Sequence, residues 1–474
     1  MPYLLALLLS LFCLPTLAQG APHDERLPPP VARALKAAGI PRSAVAVVVQ
    51  ETGAVFPRVG INAGQAMNPA SVMKLVTTFA ALELLGPAHA WRTEALAAPQ
   101  DLLADGVLAG DLVLRGSGDP RLTFEQFWLL LRQLRARGLR DIRGDLVLDR
   151  SAFPAIGHDE AAFDGKPQRP YNVGPDALLL NFKAVRLTLI PAADPERILA
   201  LPEPAPANLD IVNLIKLNGG GCGDWKDGLR ADVSRHGSNG GNYRLILTGS
   251  YPAACGEQRW NLNVLSHADY VLGVFRQLWT ELGGSIKGTV RDGTAPDGAR
   301  LLASIDSAPL AEIVRDINKF SNNVMARQVF LTLGQKVGGG DTAIRSWLDA
   351  KDLRFPELVL DNGSGLSRLE RISAENMTRL LAAAWRSAVM PELMASLPLV
   401  AVDGTMKKRL VGNGAAGQAH IKTGSLDGVR TLAGYVLDRR GRRQIVVFFV
   451  NHPNAAAAQP AQDALLQWVY ERAP

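Results

Sequence analysis

The sequence predicts an α/β domain interrupted by a mostly β insert. Two observations carry this expectation. Helical periodicity and apolar strand runs lie toward both ends of the 474-residue chain, and the middle breaks into strand-length runs separated by Pro and Gly. A chain of this length exceeds one compact core and divides into two or three domains.

Each element follows from its residues. Residues 44–49 and 55–59 are short apolar runs joined at Thr52-Gly53, a strand pair. After Asn68-Pro69-Ala70, residues 71–85 form a helix-length apolar segment stopped by Gly86-Pro87. Residues 110–114 and 144–148 both spell Gly-Asp-Leu-Val-Leu. An amphipathic helix over 124–137 lies between them, giving a strand–helix–strand unit of a separate domain. From about 165 to 262, short strands alternate with turn clusters at 202–206 and 237–241. Helical spacing returns at 268 through Tyr270, Val271, Phe275, Leu278 and Leu282. Helices over 308–317 and 323–333 are broken at Phe320-Ser321-Asn322. Strands over 430–437 and 444–450 flank a turn at 439–441, and a last helix covers 458–471. The expected division is a discontinuous domain, 25–88 with 263–474, around an insert of one or two β-rich subdomains over 89–262.

Composition narrows the class. With 47% hydrophobic and 20% charged residues, the chain reads as globular rather than disordered. A formal charge of +6 is mild at this length and leaves no nucleic-acid footprint. The densest basic cluster, Arg439, Arg440, Arg442 and Arg443 around Gly441, reads as a solvated hairpin turn. Weak attraction to anionic envelope polymers is its functional alternative.

Residues 1–18 read as a secretory signal. The apolar run 4–17 ends in Thr16-Leu17-Ala18, with small residues where a signal peptidase inspects, so cleavage after Ala18 would start a periplasmic protein at Gln19. The segment before the run has no Lys or Arg, and a retained anchor is the alternative. The run is shorter than the ~20 apolar residues a span needs, and no later stretch is long and apolar enough to be a transmembrane span. Cys13 follows Phe12 rather than the small residue a lipoprotein site would have. Removal of the signal leaves Cys222 and Cys255, and an even pair in an exported chain implies a disulfide. The His residues are scattered without ligand spacing to one another or to Cys, so neither a metal nor another cofactor is expected.

Three short motifs carry chemistry. In Ser71-Val72-Met73-Lys74, residues three apart share a helix face, so hydroxyl and amine meet. A hydroxyl becomes a useful nucleophile when a base takes its proton, and a Lys serves once burial or neighbouring cations lower its pKa. Ser321-Asn322-Asn323 at a helix break can point a hydroxyl and an amide into a cleft; alone, it reads more readily as an N-cap. Lys422-Thr423-Gly424, on a strand beginning near Ala419, offers a cation and a hydroxyl to a carboxylate, and its Gly allows close backbone approach. Each motif is unique in the chain. Together they follow the order S-x-x-K, S-x-N, K-T-G of penicillin-binding proteins and class A β-lactamases.

On these residues the sequence resembles the D-alanyl-D-alanine carboxypeptidase/endopeptidases among the low-molecular-mass penicillin-binding proteins, the large-insert class often called penicillin-binding protein four. The resemblance covers nearly the whole mature chain. It runs through residues 68–86, through 110–120 with Gly116-Ser117-Gly118-Asp119-Pro120, and through Tyr171-Asn172 to Asn181. It continues through Asp361-Asn362-Gly363-Ser364-Gly365-Leu366-Ser367 and Asp403-Gly404-Thr405-Met406. The 246 residues between Lys74 and Ser321 are its most telling feature, because simple β-lactamases have a far shorter spacer. The resemblance implies a penicillin-binding, serine β-lactamase-like transpeptidase domain, an antiparallel sheet flanked by helices. It implies Ser71 as the acylated nucleophile, Lys74 as its base and Ser321 as a proton relay to the leaving amine. Asn323 would hold the acyl-side amide, and Lys422 and Thr423 the terminal carboxylate. The backbone N–H groups of Ser71 and Ser425 would form the oxyanion hole; Ser425 stands where Thr is common, and its backbone donor is unaffected. Asp164 in the insert is the candidate for recognising a meso-diaminopimelate side chain.

The expected partners are therefore peptidoglycan stem peptides, with β-lactam antibiotics as covalent inhibitors. A serine β-lactamase is one alternative, opposed by the long insert. A catalytically inert penicillin-binding scaffold is another, opposed by three intact motifs. A Ser-His-Asp hydrolase is disfavoured because no G-x-S-x-G occurs.

Overall fold

The computed structural model describes residues 26–101, 105–155, 157–192, 197–236 and 241–472. The signal at 1–18, with Cys13, Ala18 and Gln19, lies outside the described residues.

The domain that carries the motifs is built on a five-stranded antiparallel sheet. Its order is Val59–Ile61, Val45–Glu51, Arg443–Asn451, Val429–Leu437 and Ala419–Leu426. Both faces are covered, and the period-2 alternation sorts them. Val45, Val47, Val49, Val446, Phe448 and Val450 pack toward the terminal helices Pro29–Ala37 and Gln459–Arg472. Ala46, Val48, Ile445, Val447 and Phe449 face the helical layer. That layer contains Lys74–Leu85, Leu310–Phe320, Asn323–Gly334 and Ala374–Trp385. The strand expected over 55–59 starts only at Val59, because Val55 and Phe56 belong to an exposed turn. The basic cluster sits on the hairpin after Leu437, where Asp438 accepts from the backbone of Arg440 and Arg442 and pairs with the Arg442 guanidinium.

The insert is richer in helix and in parallel pairing than its sequence suggested. One sheet runs Val290–Asp292, Leu146–Asp149, Leu112–Gly116, Arg92–Ala97, Arg300–Asp306. The two Gly-Asp-Leu-Val-Leu segments pair in parallel and in register, Leu112 beside Leu146 and Leu114 beside Leu148. Helix Phe124–Ala136 makes the crossover, started by a capping box of Thr123 and Gln126. Strands from Val185–Pro191 to Gln258–Leu262 form the β-rich remainder.

The expected return to the motif-bearing domain at 263 is displaced. Helix His267–Glu281 buries Tyr270, Phe275 and Trp279 in the insert's core, not in that of the five-stranded sheet. Val290–Asp292 and Arg300–Asp306 complete the insert's sheet. The chain leaves the insert after Asp306, at Ser307, whose N–H bonds Trp91 O at 2.8 Å beside the point of entry. Helical periodicity marked the right element but could not say which core it joined.

Cys222 and Cys255 form a disulfide with Cα atoms 4.7 Å apart. Closing 33 residues removes roughly 3–4 kcal/mol of unfolded-chain entropy in the chain-entropy model. Thiol titration of the denatured, unreduced protein should find neither cysteine free, and reduction should lower the insert's melting temperature. Two reactive thiols per chain would contradict this.

Candidate active site

The site begins with the turn that starts the first helix of the helical layer. Ala70 has φ +46°, an uncommon conformation for a residue with a Cβ, so its surroundings must hold it. Asn68 Oδ1 accepts from Ala70 N–H at 2.8 Å, and Asn68 itself exchanges bonds with Asn451 on the sheet. Thr431 Oγ1 donates to Pro69 O at 2.6 Å. The turn Ala70–Met73 is 3₁₀ and Lys74 opens the α-helix. Ser71 is half-buried at the cleft and Lys74 is fully buried one turn on.

Lys74 Nζ donates to Ser71 Oγ at 2.9 Å and to Asn323 Oδ1 at 2.6 Å, and also to Ser364 O. Burial drives its pKa well below the ordinary lysine value; the Lys422 ammonium adds to this, Glu370 opposes it and Arg327 assists. A neutral amine beside a serine hydroxyl is what a proton acceptor requires.

Ser321 ends helix Leu310–Phe320 in a left-handed conformation, φ 56°. The N-cap function falls to Asn322, whose Oδ1 accepts from Met325 N–H at 3.1 Å. That leaves Ser321 and Asn323 on either side free to face the cleft. Lys422 Nζ donates to Ser321 Oγ at 2.9 Å and to Thr423 O at 2.7 Å. Lys422 is fully buried, and burial lowers its pKa to about 7. Its charge therefore reaches the cleft through Ser321, while Thr423 Oγ1 lies 2.7 Å from Thr405 Oγ1 at the more exposed edge.

Gly424 is fixed by packing. A Cβ there would meet Thr431 Oγ1 at 2.2 Å, Pro69 O at 2.7 Å and Ser71 N at 2.9 Å. This strand thus lies directly on the Ser71 turn, with Ser425 next in sequence and exposed.

The insert supplies one wall. Asn323 Nδ2 donates to Tyr171 O at 3.4 Å. Asp164 is exposed and accepts from Tyr171 OH at 2.7 Å, Asn172 Nδ2 at 2.7 Å and Lys166 N at 3.1 Å. Partial burial pushes its carboxyl up, but the bonds from Tyr171 and Asn172 outweigh this and hold it below the usual carboxylate range. Arg368 crosses from the opposite loop, its guanidinium 5.0 Å from the Phe163 ring centre and its Nη1 bonded to Asp427 O at 2.8 Å.

The structure thus gathers Ser71, Lys74, Ser321, Asn323, Lys422, Thr423 and Gly424 at one cleft, with Ser425 at its edge and Asp164 on the insert wall. Residue-by-residue reading gave no role to Ser364, Thr405, Tyr171, Arg368 or Glu370. Glycines in 361–365 and at 404 mark tight turns there, but no residue type marks Tyr171, Arg368, Glu370 or the Ser364 carbonyl. Among the described residues no group of His, Cys, Asp or Glu is arranged to hold a metal ion, and no helix is long and apolar enough to cross a membrane.

A Ser–Lys pair at a helix start, a Ser-x-Asn loop and a Lys-Thr-Gly edge strand, set between an antiparallel sheet and helices, define a serine-type hydrolase of the penicillin-recognising fold. The chain belongs to the D-Ala-D-Ala carboxypeptidase 3 (S13) family, whose model matches residues 29–472. It is 30% identical over 456 residues to a D-alanyl-D-alanine carboxypeptidase of Actinomadura sp. (strain R39), covering 89% of this chain and 80% of that protein. It is 27% identical over 399 residues to the D-alanyl-D-alanine carboxypeptidase DacB of Haemophilus influenzae, covering 82% of this chain and 81% of that one. The same fold is found in the crystal structure of penicillin binding protein 4 from Haemophilus influenzae, with TM-score 0.76, 24% identity, and 93% and 99% of the two chains covered.

Burial of Lys422 has a consequence for stability. Its folded pKa of about 7 lies below the ordinary 10.5, so between these values the unfolded chain binds more protons, and stability falls as pH drops from about 10 toward 7. Lys422→Met should therefore raise the melting temperature at pH 7 and do so much less at pH 10. Equal effects at both pH values would contradict the lowered pKa of buried Lys422.

Proposed function

We propose that this protein is a periplasmic serine-type D-Ala-D-Ala carboxypeptidase that acts on peptidoglycan peptides through an acyl-enzyme on Ser71, is acylated by penicillin, and also cleaves D-Ala-meso-diaminopimelate cross-links. The observation that carries the reading is the 2.9 Å bond between Ser71 Oγ and the buried Lys74 Nζ.

In the proposed reaction Ser71 Oγ attacks the carbonyl carbon of the penultimate D-Ala and gives its proton to neutral Lys74 Nζ. The carbonyl oxygen takes the negative charge, facing the N–H groups of Ser71 and Ser425; such donors contribute about 2.7–4 kcal/mol each when preorganised. The C–N bond breaks, and the proton on Lys74 passes through Ser321, which the Lys422 bond holds in the cleft, to the departing amine, leaving Lys74 neutral again. Water then attacks the ester carbonyl and gives a proton to Lys74, which returns it to Ser71 Oγ as the ester C–O bond breaks. Asn323 aligns the acyl-side amide, and Thr423 with Lys422 receives the terminal carboxylate. For cross-link cleavage, Asp164 meets the amine of the meso-diaminopimelate side chain. Export is supported by the signal-like 1–18 and by the disulfide, which suits an oxidising compartment.

Ser71→Ala should abolish the covalent penicillin adduct in intact-mass measurement, and a persisting adduct would place the nucleophile elsewhere. Wild-type label should last minutes; rapid loss would indicate a β-lactamase, and no label at all an inert scaffold. Lys422→Ala should slow acylation ~100-fold or more, the scale of a lost charge-assisted contact.

Asp164→Ala should leave penicillin acylation nearly unchanged and slow D-Ala release from a diaminopimelate-containing peptide. Equal effects on both substrates, or none on either, would remove Asp164 from recognition.

A further inference from the structure

Glu370 is a buried carboxyl to which the reaction above gives no task. Its Oε1 accepts three backbone N–H groups, from Gly363 at 2.9 Å, Asn362 at 3.2 Å and Asp361 at 3.4 Å. Its Oε2 is buried with no hydrogen-bond partner. The loop it holds is the one whose next residue, Ser364, offers its carbonyl to Lys74 Nζ. The loop is threaded through a narrow gap. Thr77 Oγ1 donates to Gly363 O at 2.7 Å, and a Cβ on Gly365 (φ +79°) would meet Ala70 O at 2.0 Å and Ser71 N at 2.6 Å. Small movements of this loop therefore move both the Ser71 turn and the acceptor that fixes Lys74.

We propose that Glu370 is a positioning residue for acyl transfer: it anchors residues 361–365 so that the Ser364 carbonyl orients Lys74 Nζ toward Ser71, and its charge sets how firmly Lys74 holds a proton. The proposal rests on Lys74 acting as base. The charged groups in reach of the pair are few. Lys422 faces Lys74 from the edge strand and Arg327 from the helix Asn323–Gly334, both disfavouring its charge, while Glu370 favours it. Asp361 from the loop acts on Glu370 and on Arg327. Burial raises Glu370 to about 7, with the three backbone bonds pulling down and Asp361 pushing up.

Charge and shape separate in two variants. Glu370→Gln keeps the length of the acceptor and removes the charge that favours protonated Lys74. The acid limb of the penicillin acylation rate against pH should move down by about half a unit or more, with the plateau within a few-fold of wild type. Glu370→Asp keeps the charge and shortens the anchor. Its limb should stay near the wild-type position while the plateau falls about tenfold or more, the scale of a displaced catalytic group. A Glu370→Gln profile that superimposes on wild type, or a Glu370→Asp plateau equal to wild type, would overturn the proposal. If the first variant does not fold, the second decides alone. Loss of rate in both without movement of any limb would reduce Glu370 to a structural residue. Ser71→Ala in parallel separates the two levels: an adduct on that variant refutes the acyl-enzyme reading, whereas no adduct with unmoved limbs refutes only Glu370.

Discussion

Two fully buried lysine side chains, Lys74 and Lys422, constrain everything else in this cleft. An isolated buried charge is so unfavourable that the group gives up its proton unless partners compensate. Lys74 is supplied with oxygens from Ser71, Asn323 and Ser364, and Lys422 with those of Ser321 and Thr423. These partners come from four separate segments, so the helix start, the loop between helices, the glycine-rich loop and the edge strand must meet within hydrogen-bond distance. The compensation is incomplete. Both lysines remain below their ordinary pKa, and in the proposed reaction the same deficit that costs stability lets Lys74 take the Ser71 proton.

The insert enters this arrangement through its backbone. Tyr171 O faces Asn323 Nδ2, and Gln328 Oε1, on the same helix as Asn323, accepts from Asp176 N–H at 2.9 Å. The entry and exit strands of the insert pair with each other, Arg92–Ala97 against Arg300–Asp306, and the guanidinium of Arg92 bonds Asp306. This stem, with the two bonds to the helix Asn323–Gly334, ties the part of the insert that carries Phe163, Asp164 and Tyr171 to the domain of Ser71.

Much of this was legible in the sequence. Ser71, Lys74, Ser321, Asn323 and Lys422 could be read because spacing on a helix face, a helix break and a strand end are local signals. The paired Gly-Asp-Leu-Val-Leu segments announced a strand–helix–strand unit for the same reason. What could not be read was which core an amphipathic helix joins: His267–Glu281 has the period of any packed helix, and only the contacts of Trp279 and Phe275 assign it to the insert. Glu370 was equally silent. A Glu between Leu369 and Arg371 reads as surface until the loop 361–363 folds its N–H groups onto it. Backbone acceptors such as Ser364 O leave no trace in residue type at all.

The central claim is that burial and the neighbouring cation hold Lys74 well below the ordinary lysine pKa, which fits it to take the Ser71 proton. The pH dependence of the wild-type acylation rate by benzylpenicillin tests it most directly. The account predicts a rising limb whose midpoint lies well below the ordinary lysine value of 10.5. A midpoint near that ordinary value would show that Lys74 keeps its proton in the folded protein, and would contradict the account.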